Sequence, residues 1–305
     1  MAVYPLAGES PDLSGNLIPE LYALEFNIEF YAKTVFGEIA NTNYEGKIKQ
    51  FGDTVNIPTY GEMAVREYTK GQKLIYTPSQ PGTIQLLINK GFYYAFPANQ
   101  LDLKQSQIDF VPPWIKRGTN NLKIQVDQEV LSYVYGQAHA ANQGATAGLE
   151  SENINLGAAT APLQLTKTNI LEVICQCGQV LDEQQVDDEG RWMVLPAWAI
   201  TLIKTSDIKN TGLTGDDTSP IRNGRIGEVD RFQIYRSSNL TTGTDTVKVW
   251  NACFGHPDGV TFAAQLDTSE QLTDPNDFGQ LVRALFVYGR LVNKPEAIGH
   301  LYLRQ

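Results

Sequence analysis

The chain has 305 residues, 42% of them apolar and 19% charged, enough to bury a sizeable core in one or two closely joined domains. Its formal net charge of −10 sets the overall field against nucleic acid, which excludes a generic DNA binder and leaves that role only to a local basic face. Three cysteines make no disulfide framework, no run approaches the about 18 apolar residues of a membrane span, and the opening MAVYPLAGESPDL lacks the basic and apolar regions of a signal peptide.

Residues 1–15 read as a flexible arm. A helix is expected from about Pro19, with Leu21, Leu24, Ile28, Tyr31, Val35 and Ile39 at helical spacing. A ribbon follows from Gly46 to Asn99. Its first extended segment, DTVNIP, puts Val55 and Ile57 on one face, and TIQLLINKGFYYAF (Thr83 to Phe96) is a second extended run. Pairing them antiparallel across the polar stretch from Lys70 to Pro81 makes a long projecting hairpin. The middle, YTKGQKLIYTPSQPG, offers few apolar residues to bury. Ordering it costs backbone entropy that its own contacts cannot offset, and a two-stranded ribbon is marginal with open edges. Such an arm is ordered by a partner, which points to an assembly protein. Arg66, Lys70 and Lys73 cluster on it beside Glu62 and Glu67. They read either as a solvated loop or as a patch that sets register against an acidic neighbouring subunit.

Pro112 and Pro113 precede a long helix expected from about Asn120 to Ala141, with Leu122, Val126, Val130, Val134 and Ala138 spaced four apart. Lys116 and Arg117 would stand near its start, where positive charge opposes the helix dipole. An intersubunit carboxylate, or a start nearer Asn120, would relieve that conflict. Gly144 to Ala161 reads as a loop. A further helix spans Asn169 to about Gln184, with Asn169 and Glu172 as a capping box and Ile170, Ile174, Cys177 and Leu181 on its buried face. RWMVL is a short apolar strand, and Pro196 opens the helix after it. Thr205 to Asn223 is a loop. RIGEVDRFQIYRSSN and TDTVKVWNACFG read as strands, with a turn from Leu240 to Asp245. The tail holds an alternating strand, Leu285 to Leu291, and closes on another apolar alternation. The pattern is α+β, without a regular βαβ series or an internal repeat.

Signs of chemistry are sparse. Cys175 and Cys177 stand two apart on a helix, so they face different directions, and no second pair completes a zinc site. No nucleophile-elbow, zinc-protease or dinucleotide-binding pattern is present. FGHPDG brings His256 and Asp258 into one loop, the most enzyme-like feature, although Asp, Pro and Gly together also simply make a turn. NGRIGEV lacks the lysine and serine of a phosphate-binding loop and reads as a turn into a strand. No catalytic, cofactor-binding or metal-binding residue is expected. Two rival readings stand: a tail or decoration component of a virion, and a hydrolase using His256 and Asp258.

The order of these elements resembles the tailed-bacteriophage major capsid proteins of the HK97-type fold, from about Leu17 to Leu303. The phrase NILEVICQCGQVLDEQQVDDEGRWMVLPAWAITLI, with Gly190, Arg191 and Pro196, is similar to that family's approach to its axial domain. GRIGEVDRFQIYRSSNL, ending in Ser237, Ser238, Asn239 and Leu240, resembles its glycine-led strand, and YGRLVNKPEAIGHLYLR resembles its closing strand, from Tyr288 through Pro295 and Glu296. The resemblance implies an N-terminal arm and helix over 1–45 and an extended β-hairpin loop over 46–99. It implies a peripheral domain with a long spine helix over 100–160, an axial domain over 161–280, and a return to the peripheral domain over 281–305. It implies hexamers and pentamers in an icosahedral shell, with extended loops lying over adjacent subunits. Arg66, Glu67, Lys70, Lys73, Lys116 and Arg117 are then candidate intersubunit contacts. A separate scaffolding protein, a portal protein, a possible decoration protein and non-specifically contacted double-stranded DNA are the implied partners, with no membrane. The absence of a long N-terminal scaffold extension fits a separate scaffold or a mature form. Some members cross-link loop lysines to asparagines on neighbours; Lys70, Lys73 and Asn99 are present, but no cross-link is expected. On this reading the acidic net charge lets a packaged genome slide along the shell lining.

Overall fold

The structure is a computed structural model that describes residues 34–42, 54–59, 63, 65–76, 82–100, 104, 111–206, 228–245, 247–275 and 277–305. The expected arm, most of the first helix, most of the 205–223 loop, Glu62 and the start of NGRIGEV lie outside these residues. Of the first helix, α1 (Phe36–Ile39) is described, and Val35 and Ile39 are buried as the spacing predicts.

The larger body is a mixed seven-stranded sheet with helices against it. Its order is β4 (Leu163–Gln164), β12 (Ile298–Arg304), β9 (Val247–Gly255), β5 (Arg191–Leu195), β7 (Phe232–Arg236) and β6 (Glu228–Val229), with β8 (Thr242–Asp245) pairing β9. RWMVL is buried at every position because it lies inside the sheet, parallel to β7 and antiparallel to β9. Helix α3 (Ile170–Glu183) buries Ile170, Val173, Ile174, Cys177, Val180 and Leu181, the stripe its spacing predicts. Pro196 caps α4 (Ala197–Thr205) as expected.

The second layer is an antiparallel sheet in the order β10 (Val260–Thr273), β11 (Gly279–Val292), β3 (Lys90–Asn99). Helix α2 (Val111–Gly136) lies across it: Trp114 meets Phe96 edge-on at 5.4 Å, and Tyr94 bonds to Thr119. The base of the ribbon is a separate hairpin, β1 (Thr54–Thr59) with β2 (Gly82–Leu87), in register from Thr54↔Leu87 to Thr59↔Gly82. The strands run on between the two sheets at adjacent 3-10 turns, Pro257–Gly259 and Pro295–Ala297. Main-chain bonds from His256 to Ala297 and from Asn293 to Gly259, both 3.0 Å, join these turns.

Several elements differ from expectation, each for a tertiary reason. The long helix spans Val111–Gly136, not Asn120 to Ala141. Val111, Trp114 and Ile115 pack on Ala98, Val282 and Phe96, which keeps this stretch helical. At the other end a 3-10 turn, Ala140–Asn142, takes over, with the His139 ring accepting from the Ala141 N–H. Lys116 and Arg117 are therefore beyond the first turn, and the conflict with the helix dipole disappears. The run from Thr83 to Phe96 breaks at Ile88 and Asn89: β2 stays with the ribbon, while β3 joins β11. From Glu228 to Arg236 the chain is a hairpin, not one strand, because Asp230 and Arg231 both take positive φ (48° and 65°) in a two-residue turn. Arg231 is held there by Asp182 and Asp188. The expected turn from Leu240 to Asp245 contains strand β8. The capping box is displaced three residues: Thr166 Oγ1 accepts from the Asn169 N–H, and Asn169 Oδ1 accepts from the Thr166 N–H at 2.7 Å. Glu172 instead accepts from Gln176.

Candidate assembly surfaces

Two surfaces stand out. The ribbon is anchored at its base, where Ile57, Leu86 and Ile88 bury against Ala263, with Val55, Val287 and Leu291 around them. The approach is close enough that a Cβ on Gly289 would lie 2.6 Å from the Leu87 carbonyl, so glycine is required there. Beyond the base every described residue from 65 to 76 is exposed. The tip turns at Lys70 and Gly71, with the Gln72 N–H donating to the Thr69 carbonyl at 2.9 Å. Sequence reasoning saw this stretch as poor in apolar groups. The structure shows that those it has are unburied: Val65 is 97% exposed and Tyr76 88%, and Met63, Tyr68, Leu74 and Ile75 join them. Exposed apolar groups at this density mark a contact surface. Arg66, Glu67, Lys70 and Lys73 share the tip, and among the described residues none of these four has an ion-pair partner. Lys116 and Arg117 are exposed on α2, in a different part of the fold, so the six expected contact residues do not form one patch.

The second surface is the face of the three-stranded sheet turned away from α2. Tyr94, Phe96, Phe286 and Tyr288 point towards the helix side, so their neighbours point the other way. Tyr93 opposite Leu285, and Leu272 opposite Leu281, make an apolar strip, with Tyr93 77% exposed. The far end of this hairpin is acidic. Glu270 pairs with Arg283 at 2.7 Å, while Asp277 accepts from Asn99 Nδ2 at 2.9 Å and from the Phe278 N–H. The Asn99 amide, the asparagine of the cross-link question, is thus engaged in this turn.

Three buried polar centres hold these surfaces in place. Glu129 of α2 accepts from Tyr288 Oη at 3.0 Å and from the Arg290 guanidinium, which stacks 3.7 Å over Tyr133; this ties the helix to β11. Burial beside Glu129 pushes the Tyr288 phenol up. Arg191, fully buried, donates to the carbonyls of Val186, Asp187 and Gly178 and pairs with Asp182 at 2.7 Å. Asp127, also fully buried, accepts from the Val35 and Phe36 N–H groups at 2.9 Å each and from Asn239 Nδ2 at 2.7 Å. Burial raises its pKa, and these hydrogen bonds oppose the rise. Sequence reasoning missed all three functions. The Gly-Arg and Ser-Asn-Leu phrases were the only signals, and they carried no geometry.

The enzyme-like loop has another role. His256 Nδ1 accepts from the Asp258 N–H at 3.2 Å, and its Nε2 meets the Glu189 carbonyl at 2.9 Å. Each ring nitrogen meets a main-chain group, one within the 3-10 turn and one at Glu189, and the Asp258 carboxylate lies 3.8 Å from Nδ1. Cys177 and Cys253 are buried and Cys175 is exposed. Among the described residues no cluster of metal-ligating side chains occurs, and no helix is long and apolar enough to cross a membrane.

No protein-family model matches the chain, and no curated protein matches it. Solved structures do. A chain from Mycobacterium phage Che8 superposes with a TM-score of 0.72 at 23% identity, over 94% of this chain and 97% of that one. One from the capsid structure of the cyanophage P-SCSP1u gives 0.70 at 14%, over 95% and 94%. One from the mature capsid of bacteriophage PhiM1 gives 0.65 at 12%, over 94% and 92%. The likeness spans nearly the whole of each chain, and the chain therefore has the α+β HK97-type fold of phage capsid structures.

Proposed function

We propose that this chain is the major capsid protein of a tailed bacteriophage, assembling as hexamers and pentamers into the icosahedral head that encloses the genome. The observation that carries this reading is the ribbon tip: a fixed base presents six exposed apolar side chains and three exposed cations without an ion-pair partner among the described residues. The fold likeness supports the same conclusion. In this reading α2 is the spine helix, the three-stranded sheet belongs to the peripheral domain, and the seven-stranded sheet with α3 and α4 is the axial domain. Residues 46–99 are the extended loop. Arg66, Lys70 and Lys73 on the tip meet the acidic end of a neighbour's β10–β11 hairpin, at Glu270, Asp274 and Asp277. Glu67, Lys116 and Arg117 serve as further intersubunit contacts. Each contact is modest, and multivalency across the shell makes the particle stable. A separate scaffolding protein, a portal, a decoration protein and packaged double-stranded DNA are the proposed partners, and the virion head is the proposed location. No step in this function needs a catalytic residue.

The test is expression of the full chain, alone and with a scaffold, followed by negative-stain electron microscopy. Closed shells or rings of five and six are expected. Replacing residues 65–76 by a short Gly-Ser link should leave the subunit folded and abolish closed shells. Normal shells from that variant would remove the ribbon from the assembly mechanism.

A further inference from the structure

The carboxylate of Asp127 stands at a junction of three parts of the chain that are remote in sequence. It projects from the middle of α2. Its Oδ1 accepts both N–H groups at the start of α1, from Val35 and Phe36. Its Oδ2 accepts from Asn239, which lies in the turn after β7. That turn is itself fixed: the Ser237 N–H donates to the Leu195 carbonyl at the end of β5, and Ser237 Oγ accepts the Asn239 N–H at 3.0 Å. The segment after α1 continues onto the other sheet, where Asn41 exchanges main-chain bonds with Val260 and Phe262 of β10. All the donors that Asp127 meets here are neutral, and the other titratable group facing it is the Cys253 thiol of β9, which burial pushes up to about 12. A buried carboxylate without a cation depends on every donor it has.

We infer that Asp127 couples the seat of the N-terminal segment, residues 34–39, to the Ser237–Leu240 turn, so that loosening either one loosens the other. The reason is shared solvation. Losing the Asn239 donor leaves Oδ2 buried and without a hydrogen-bond donor among the described residues. The nearest relief is for Val35 and Phe36 to lift away and let water reach the carboxylate. No hydrogen bond joins Asn239 to either residue among the described residues, while Leu240 shares a buried cluster with Val35 and Ile39, so an Asp127→Asn background separates a route through the carboxylate from one through packing. Neutralising the group removes the cost that drives opening: in Asp127→Asn the side-chain oxygen still accepts the two N–H groups, and the Asn239 amide can turn to accept from the new NH2. The inference does not depend on shell formation.

Residue-resolved hydrogen exchange on the full chain tests it. Asn239→Ala should speed exchange at the Val35 and Phe36 amides about tenfold or more, within the usual range of coupling between sites, while Val173 and Val180 in α3 stay unchanged. In the Asp127→Asn background the same Asn239→Ala change should have little effect on Val35 and Phe36. Unchanged exchange at Val35 and Phe36 in Asn239→Ala would overturn the coupling. Equal acceleration with and without Asp127→Asn, or uniform acceleration across all amides, would also overturn it.

Discussion

At the scale of single residues, the buried polar groups have the sharpest measurable consequences. The Arg191 guanidinium donates to three carbonyl oxygens, those of Val186, Asp187 and Gly178. Lysine keeps the charge but cannot reach all three, so Arg191→Lys should lower stability by about 2–4 kcal/mol in urea melts, mostly by leaving buried acceptors unpaired. A change below about 0.5 kcal/mol would mean that the carbonyls find water instead. His300 gives a pH signature. It is stacked on Tyr135 at 5.0 Å and bonded to Asn251, and burial lowers its pKa from 6.5 to about 4. The folded ring binds its proton less tightly than the unfolded one. Its contribution is therefore full above about 6.5 and is lost as pH falls towards about 4. The imidazole signals of His300 should stay in the neutral form down to about pH 4 by NMR; a midpoint near 6.5 would contradict the burial argument.

At the scale of elements, the approach of α2 to β3 is tightest at a glycine. A Cβ on Gly118 would lie 2.9 Å from the Tyr94 ring, and Tyr94 Oη reaches Thr119 at 3.2 Å. Alanine normally gains about 1 kcal/mol over glycine within a helix. Here Gly118→Ala should instead lower stability by about 1–2 kcal/mol, because the ring must move. In a Tyr94→Ala background the sign should reverse, which thermal melts of the two pairs would settle. This element also shows what was legible in the chain. The i, i+4 row from Leu122 to Val134 announced a helix, because its buried face repeats at helical spacing. Its extension ahead of Asn120 did not show, since Pro112 and Pro113 argue for a boundary while the packing of Trp114 on Phe96 keeps Val111 to Thr119 helical. RWMVL and the stripe of α3 were legible for the same local reason. The Asp127 junction was not: its partners lie 92, 91 and 112 residues away, and no local pattern marks an aspartate as an acceptor for such groups. The ribbon was legible as an arm that needs a partner, but the exposure of its apolar side chains became visible only in three dimensions.

At the scale of the whole molecule, charge is unevenly placed. The chain carries a net −10, yet its exposed tip holds Arg66, Lys70 and Lys73 against Glu67. Reversing all three cations to glutamate should change the stability of the isolated subunit by less than about 0.5 kcal/mol in thermal melts, since exposed charges contribute little. It should strongly reduce shell yield by electron microscopy, and adding Glu270→Lys with Asp277→Lys should restore part of it. Equal shell yields before and after the triple reversal would place the tip cations outside the contact.

The order in which strands find their partners adds a constraint on biosynthesis. β3 at Lys90–Asn99 pairs with β11 at Gly279–Val292, and the short β4 at Leu163–Gln164 waits for Leu303 and Arg304 of β12. A ribosome that has delivered β3 must continue for roughly 10–40 s before its partner emerges. The three-stranded sheet is complete only once Val292 is made, and the seven-stranded sheet only once Arg304 is. A prematurely terminated chain lacks the β11 surface on which the ribbon base sits, at Val287 and Leu291. Such a fragment has no seat for its ribbon base, so the topology makes the placement of the ribbon conditional on the much later synthesis of β11.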